Sequence, residues 1–227
     1  MGTMVMRLPL VAGLKPLADK KLLTGIGLLT VYSYVIEFIG VETGFPYGNF
    51  SYGIDLGPML FGKIPLGLPI FFIPLVLNSY ILALLLFPEK TRKLFYRVPL
   101  VIGLVLLIDL ILDPAAVAIN FWNYGGGTYY GVPVSNYLGW ILSATVAVTV
   151  LNFSFNHEKL RSRIEECSFI LDDMVSFVFL WGITNLYFQN SIPVLLSGFL
   201  VYGLIKTDRF NLAGEEKFSQ FWNSLKA

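Results

Sequence analysis

Asp109 and Asp113 are the first residues in this chain whose type and spacing can do chemistry. A separation of four stacks them on one face of a helix, and both fall inside the apolar run 98–119 with no basic residue at the same depth. Ionising both would set two like charges side by side in a low dielectric, so one is expected to stay a neutral acid beside a carboxylate base. The bland alternative is a structural pair held by Asn, Tyr or Ser from neighbouring helices. Pro114 follows directly and should loosen the helix, freeing backbone carbonyls beside the pair. Glu37 is a third carboxylate, in the outer half of the apolar run 22–41. Each such group at membrane depth costs about 2.5–3.5 kcal/mol on insertion scales, which makes it a functional candidate and aims it at the bundle interior. Asp172 and Asp173, near the inner end of a later run, read more simply as a solvated helix N-terminus.

The elements that must carry these carboxylates follow from composition. The 227 residues are 56% hydrophobic and 14% charged, with a mean hydropathy of +0.69, too apolar to clothe a soluble domain of this size. The chain is therefore read as an all-α integral membrane protein, multi-pass in the cell membrane. A hydrocarbon core about 30 Å thick needs about 20 apolar helical residues. Six runs of that kind occur, at 22–41, 66–87, 98–119, 136–155, 168–188 and 191–205, the last short. Residues 8–14 are too few to span and read as interfacial. Basic residues test the division independently: with the N-terminus inside, fifteen of the sixteen Lys and Arg, from Arg7 to Lys226, fall on the inner side and only Lys63 outside. Six transmembrane helices with both termini cytoplasmic are expected, residues 1–210 forming one polytopic membrane domain and 211–227 a short cytoplasmic tail. Unbroken apolar runs exclude a closed β-barrel.

Two outer segments, 44–53 and 121–133, are dense in aromatics and glycine, beyond what an interfacial belt needs, and read as ordered loops. One cysteine excludes an internal disulfide, and one histidine excludes di-iron hydroxylase, bis-histidine haem and most zinc sites. His157 sits among Glu158, Lys159 and Arg161 and reads as a solvated loop residue. No phosphate loop or dinucleotide fingerprint is present: Gly125 and Gly127 are followed by Tyr130 where a third glycine belongs. A net charge of +1 gives no reason to expect nucleic acid. The Asn49-Phe50-Ser51 sequon is weak evidence of glycosylation, and the protease-tag-like string from Asn185 to Gln189 is read as native chain because Thr184 replaces the acidic residue expected before it.

Two stretches carry a resemblance. The first runs Glu37-Phe38-Ile39-Gly40-Val41-Glu42-Thr43-Gly44-Phe45-Pro46-Tyr47-Gly48 and continues through Tyr52 and Leu56-Gly57-Pro58 to Pro65-Leu66. The second comprises Leu112-Asp113-Pro114, Trp122, and Tyr129-Tyr130-Gly131-Val132-Pro133-Val134-Ser135-Asn136-Tyr137-Leu138-Gly139-Trp140. Together they cover the first two-thirds of the chain and resemble the membrane carotenoid hydratases, enzymes that hydrate acyclic carotene ends. What the resemblance implies is addition of water to the terminal isopropylidene double bond of a long polyene, giving a tertiary alcohol without cofactor or metal. Asp113 or Asp109 would supply the proton, and Glu37 or the other aspartate would orient water. Aromatic faces of Tyr47, Tyr52, Trp122 and Trp140 would stabilise the cation, with Tyr130 and Asn136 as further substrate contacts and Glu42 and Asp55 as reserves in the outer loop. The partners would be a lipid-soluble acyclic carotenoid, water and membrane lipid, with other carotenoid-pathway enzymes beside them.

Two other classes fit less of the chain. A spacing of four between aspartates also occurs in one motif of membrane prenyltransferases, which hold diphosphate through magnesium; here no second Asp-rich motif pairs with it, and no Lys or Arg is expected near the site. A small proton-coupled transporter, or a lipid-binding protein, would use buried carboxylates as relays, but matching broken helices in two halves are missing from the sequence.

Overall fold

The structure, a computed structural model, describes residues 2–211. Among these the chain forms nine α-helices: α1 (Gly2–Met6), α2 (Leu8–Leu14), α3 (Lys20–Thr43), α4 (Leu68–Leu86), α5 (Leu94–Ala118), α6 (Val134–Ser154), α7 (His157–Glu166), α8 (Asp172–Tyr187) and α9 (Ser191–Thr207). The expected tail, 211–227, lies outside the described residues save Asn211.

The apolar runs become helices close to their expected limits, because a main chain in lipid must satisfy its own hydrogen bonds. Helices α3, α4, α5 and α6 are each long and apolar enough to cross a membrane. The other two expected spans are shorter: α8 has 16 residues and α9 has 17, about 24–26 Å of rise. Residues 168–171 make a buried turn before α8 instead of adding to it. Side-chain and backbone caps set the ends, with Asp19 accepting from Leu22 N at the start of α3 and Gly44, in the left-handed conformation, ending it.

Helix α4 is the centre of the bundle, buried at every position from Phe72 to Leu84. It packs on α3, α5 and α9, while α5 also packs on α6 and α8. Helix α3 turns Leu23, Leu28, Val31 and Val35 outward, an apolar exterior suited to lipid. Pro74 and Pro114 sit inside α4 and α5 and leave the carbonyls four residues earlier without their usual donors. Both are filled from elsewhere: Arg7 Nε donates to Ile70 O at 3.2 Å, and the Tyr129 hydroxyl to Leu110 O at 3.3 Å.

Three expectations need correction. Residues 8–14 do more than lie at the interface: Leu8 and Val11 stay exposed, but Leu10, Ala12 and Leu14 are buried, and α2 packs against α8. Asp173 is not a wet helix terminus but fully buried, because Arg7 bonds it at 2.5 Å and Asn78 Nδ2 at 2.6 Å. His157 is half-buried, against the Arg97 guanidinium at 3.0 Å and Asn152 O at 3.0 Å. Arg97 itself is buried and held by Thr91 O, Tyr80 and Asn152, tying the adjoining ends of α5, α6 and α7 together.

Candidate active site

The two aromatic loops are zipped into one roof. Strands β1 (Ser51–Tyr52) and β4 (Trp122–Asn123) pair antiparallel, setting Tyr52 opposite Trp122, and Gly53 N adds a bond to Phe121 O at 3.1 Å. Beside it β2 (Met59–Leu60) and β3 (Ile64–Pro65) form a small hairpin. Under the roof lies a cavity of about 370 Å³. Its walls come from α3, α4, α5, α6 and α8, and most of its lining is apolar or aromatic, including Phe71, Phe72, Leu75, Phe121, Phe177 and Trp181. Helices α4 and α8 both line it, and Leu180 on α8 both lines the cavity and stands exposed on the outside.

The polar groups concentrate at the roof end. Asp109 and Asp113, both buried on α5, are bridged by the side chain of Asn136 on α6. Asn136 Nδ2 donates to Asp109 Oδ2 at 3.1 Å and also to Asp113 Oδ2, which uses both its hydrogens and fixes the amide orientation. The Tyr124 hydroxyl donates to Asn136 Oδ1 at 3.0 Å and lies 3.5 Å from Asp113 Oδ2. Every one of these partners is neutral. Asp113 lines the cavity and Asp109 does not, so the pair is ordered in depth, one carboxyl at the wall and one behind it. Glu37, from α3, also lines the cavity, and the Tyr52 hydroxyl donates to its Oε1. Burial, then the nearby carboxylates, pushes the Tyr52 and Tyr124 phenols well above their ordinary range, so both act as neutral donors.

Aromatic rings fill the space between these carboxyls. Phe50 meets the rings of Tyr47, Tyr52 and Tyr124 at 5.9–6.5 Å between centroids. Trp140 stacks on Phe72 at 5.5 Å and 18° and leans on Tyr47. Tyr47 is seated by two glycines: a Cβ on Gly139 would come within 2.5 Å of its ring, and one on Gly40 within 3.2 Å. That close approach explains both glycines in the two strings that carry the family resemblance. The Tyr47 hydroxyl then pairs with Ser143 Oγ at 2.6 Å.

Of the residues singled out from sequence, the cavity gathers Glu37, Asp113, Tyr47, Tyr52, Trp122, Asn136 and Trp140. Tyr130 does not reach it; its hydroxyl accepts from Ile192 N at 3.2 Å and anchors the loop to the start of α9. Glu42 is exposed in an ion pair with Lys63, and Asp55 is exposed and caps Gly57 N at 2.8 Å, so neither reserve carboxylate joins the site. Tyr124 and Phe50 belong to the site and were not singled out. A cation does line the cavity, against expectation: Arg7, already neutralised by Asp173. Three buried polar atoms at this end have no hydrogen-bond partner among the described residues, namely Asp109 Oδ1, Trp122 Nε1 and the Tyr137 hydroxyl. Orphaned buried groups of this kind are costly unless a small polar molecule meets them.

A family model described as carotenoid biosynthesis protein matches residues 1–204. The chain is 53% identical over 210 residues to a protein of Haloarcula japonica named bisanhydrobacterioruberin hydratase, covering 92% of this chain and 72% of the relative. No solved structure matches.

Proposed function

The chain belongs to the carotenoid biosynthesis protein family, and from that premise and the cavity's chemistry we propose that it is a carotenoid hydratase. It adds water to the terminal isopropylidene double bond of an acyclic carotenoid and leaves a tertiary alcohol. The observation that carries this reading is that Asp113 and Glu37, from different helices, line one apolar cavity roofed by aromatic rings.

Markovnikov hydration needs an acid at one alkene carbon, a cation-tolerant wall and a polar group that presents water at the other carbon. Asp113, protonated, gives its proton to the less substituted carbon, and the π electrons form the new C–H bond. Positive charge then rests on the tertiary carbon, where the faces of Trp122, Tyr52 and Tyr47 stabilise it by about 2 kcal/mol each when water is excluded. Glu37, held by the Tyr52 hydroxyl, orients water and takes the proton released as the C–O bond forms, and that proton returns to Asp113 by exchange with water before the next turnover. Asn136 and Tyr124 keep the Asp109 and Asp113 carboxyls apart from solvent and in fixed orientation. Asp109, behind the wall, accepts from the same Asn136 amide and so helps hold it against Asp113. The net change is one water added, with no electron transferred, so the proposed chemistry calls for no redox cofactor or metal.

The apolar exterior, and the exposure of the lining residue Leu180 on α8, fit a substrate that arrives from the bilayer. Six crossings of the cell membrane, both termini in the cytoplasm, agree with the distribution of Lys and Arg. Expression in a host that accumulates acyclic carotenes, followed by pigment chromatography and mass spectrometry, tests the activity. A more polar pigment heavier by one water is expected. Unchanged pigments across several acyclic carotenes would refute it.

A further inference from the structure

A second recess, of about 580 Å³, lies between the start of α3 and the end of α6. Its floor is the contact of two small buried residues: a Cβ on Gly25 would come within 1.9 Å of Ser154 Oγ, so glycine lets α3 sit directly on α6. Its sides include Leu28 and Phe153, both exposed. The hydroxyl hydrogens along it are spent on their own helices, Thr24 on Lys20 O at 2.8 Å, Thr149 on Thr145 O at 2.7 Å and Ser154 on Val150 O at 2.7 Å. What this groove offers a ligand along its length is therefore chiefly hydrocarbon. One end differs. Lys20 and Lys21, the first two residues of α3, are exposed at the mouth, and neither forms an ion pair with a carboxylate among the described residues. Asp19, next to them, caps Leu22 N. Lys21 lies close enough to the His157 ring to act on it electrostatically, and Arg97 touches that ring at 3.0 Å, so cations gather at this end.

By helix rise, Lys20 to Leu28 spans about 12 Å, close to half of a hydrocarbon core about 30 Å thick. The groove thus runs from the water boundary into one leaflet, cationic at its mouth and apolar along its length. We propose that it binds an anionic membrane lipid, with the phosphate against Lys20 and Lys21 and one hydrocarbon chain laid along Leu28 and Phe153. A peptide in the slot would leave main-chain polar groups unmet, and a free phosphate would leave the apolar walls uncovered. The site stands apart from the hydration chemistry, but a lipid seated there clamps α3 to α6, the helices that carry Glu37 and Asn136.

The test uses the full chain, purified in mild detergent and titrated with phosphatidylglycerol or phosphatidylcholine of identical chains. Bound lipid is counted by native mass spectrometry. Phosphatidylglycerol should be retained at a concentration about tenfold lower than phosphatidylcholine, since two lysines at the surface face its negative headgroup. Replacing Lys20→Gln and Lys21→Gln together changes only exposed side chains and should bring the two lipids level. Thr149→Phe, which fills the groove and leaves the lysines, should weaken phosphatidylglycerol binding by a similar factor. Glycerol phosphate, a headgroup without chains, should not compete. Equal retention of both lipids by the wild type overturns the site, as does full preference in the lysine variant, unchanged binding in Thr149→Phe, or competition by glycerol phosphate. A dimer in detergent that phosphatidylglycerol cannot dissociate overturns it in favour of a second copy of this chain in the groove.

Discussion

Asp113→Asn is the substitution that most sharply separates chemistry from architecture. The amide has the volume of the carboxyl and retains an oxygen that can accept from Asn136 Nδ2, so the bridge between α5 and α6 survives and stability should fall by about 1 kcal/mol at most. What is lost is a proton that carbon can take. Asp109 cannot replace it from where it stands, since it does not line the cavity and its Oδ2 is engaged by Asn136. General acids contribute about 10²–10⁴-fold, and protonation of an alkene lies at the demanding end of that range. A loss of about 10³–10⁴-fold in kcat is therefore expected, or about 4–5.5 kcal/mol of barrier. The assay is single-turnover hydration in membranes, read by pigment chromatography, with thermal unfolding in detergent confirming that the variant is folded. A variant that unfolds like the wild type and retains a rate within about threefold of it would remove Asp113 as the acid and return the pair to a structural role.

Trp122→Leu should lower kcat more than it raises KM, because cationic charge faces the ring only in the transition state; a pure KM effect in steady-state rates would reassign Trp122 to substrate packing. Gly139→Ala should displace the Tyr47 ring and destabilise the fold by about 1–3 kcal/mol, read as a lower Tm in detergent, and an unchanged Tm would mean the ring has room to move. His157, lying between the spans, has its pKa lowered from 6.5 by burial and then by the Arg97 charge. The unfolded chain thus binds a proton the folded one resists, so stability is full above pH 6.5 and declines as pH falls below it. His157→Gln should flatten that decline in thermal unfolding between pH 7 and 5, and an identical pH profile would exclude the histidine as its source.

The fold was legible where the physics is local. Runs of about 20 apolar residues have one stable form in lipid, and the alternation of basic loops marks their ends. Asp109, Asp113 and Glu37 stood out because charge at that depth needs a reason. What stayed hidden depends on partners far away in sequence. Arg7 reads as one more inner-side cation until Asp173, 166 residues later, is placed against it. The vacant Ile70 carbonyl that Arg7 also fills is announced by Pro74, a signal that sequence does carry. Tyr124 is one of twelve tyrosines and sits in a glycine-rich loop, so nothing local marks it; only the pairing of β1 with β4 brings that loop over Asp113. Asn78 had a legible sign, a lone amide in the middle of an apolar helix, which a systematic reading of neutral polar groups at membrane depth would have raised beside the carboxylates. Asn185 is a second such case, buried and bonded to Ile111 O at 2.7 Å, which makes the tag-like string around it a structural part of α8.

The most direct test of acid-catalysed hydration is isotopic. Under strict anaerobiosis, in water enriched in ¹⁸O and deuterium and without added metal, the product should carry ¹⁸O in its new hydroxyl and one deuterium on the adjacent carbon. The deuterium marks the solvent-exchangeable proton that Asp113 delivers, and no oxygenation route places it there. Oxygen incorporated from O₂, or activity abolished by chelators, would contradict the assignment of Asp113 and Glu37 as the acid and the water-orienting group.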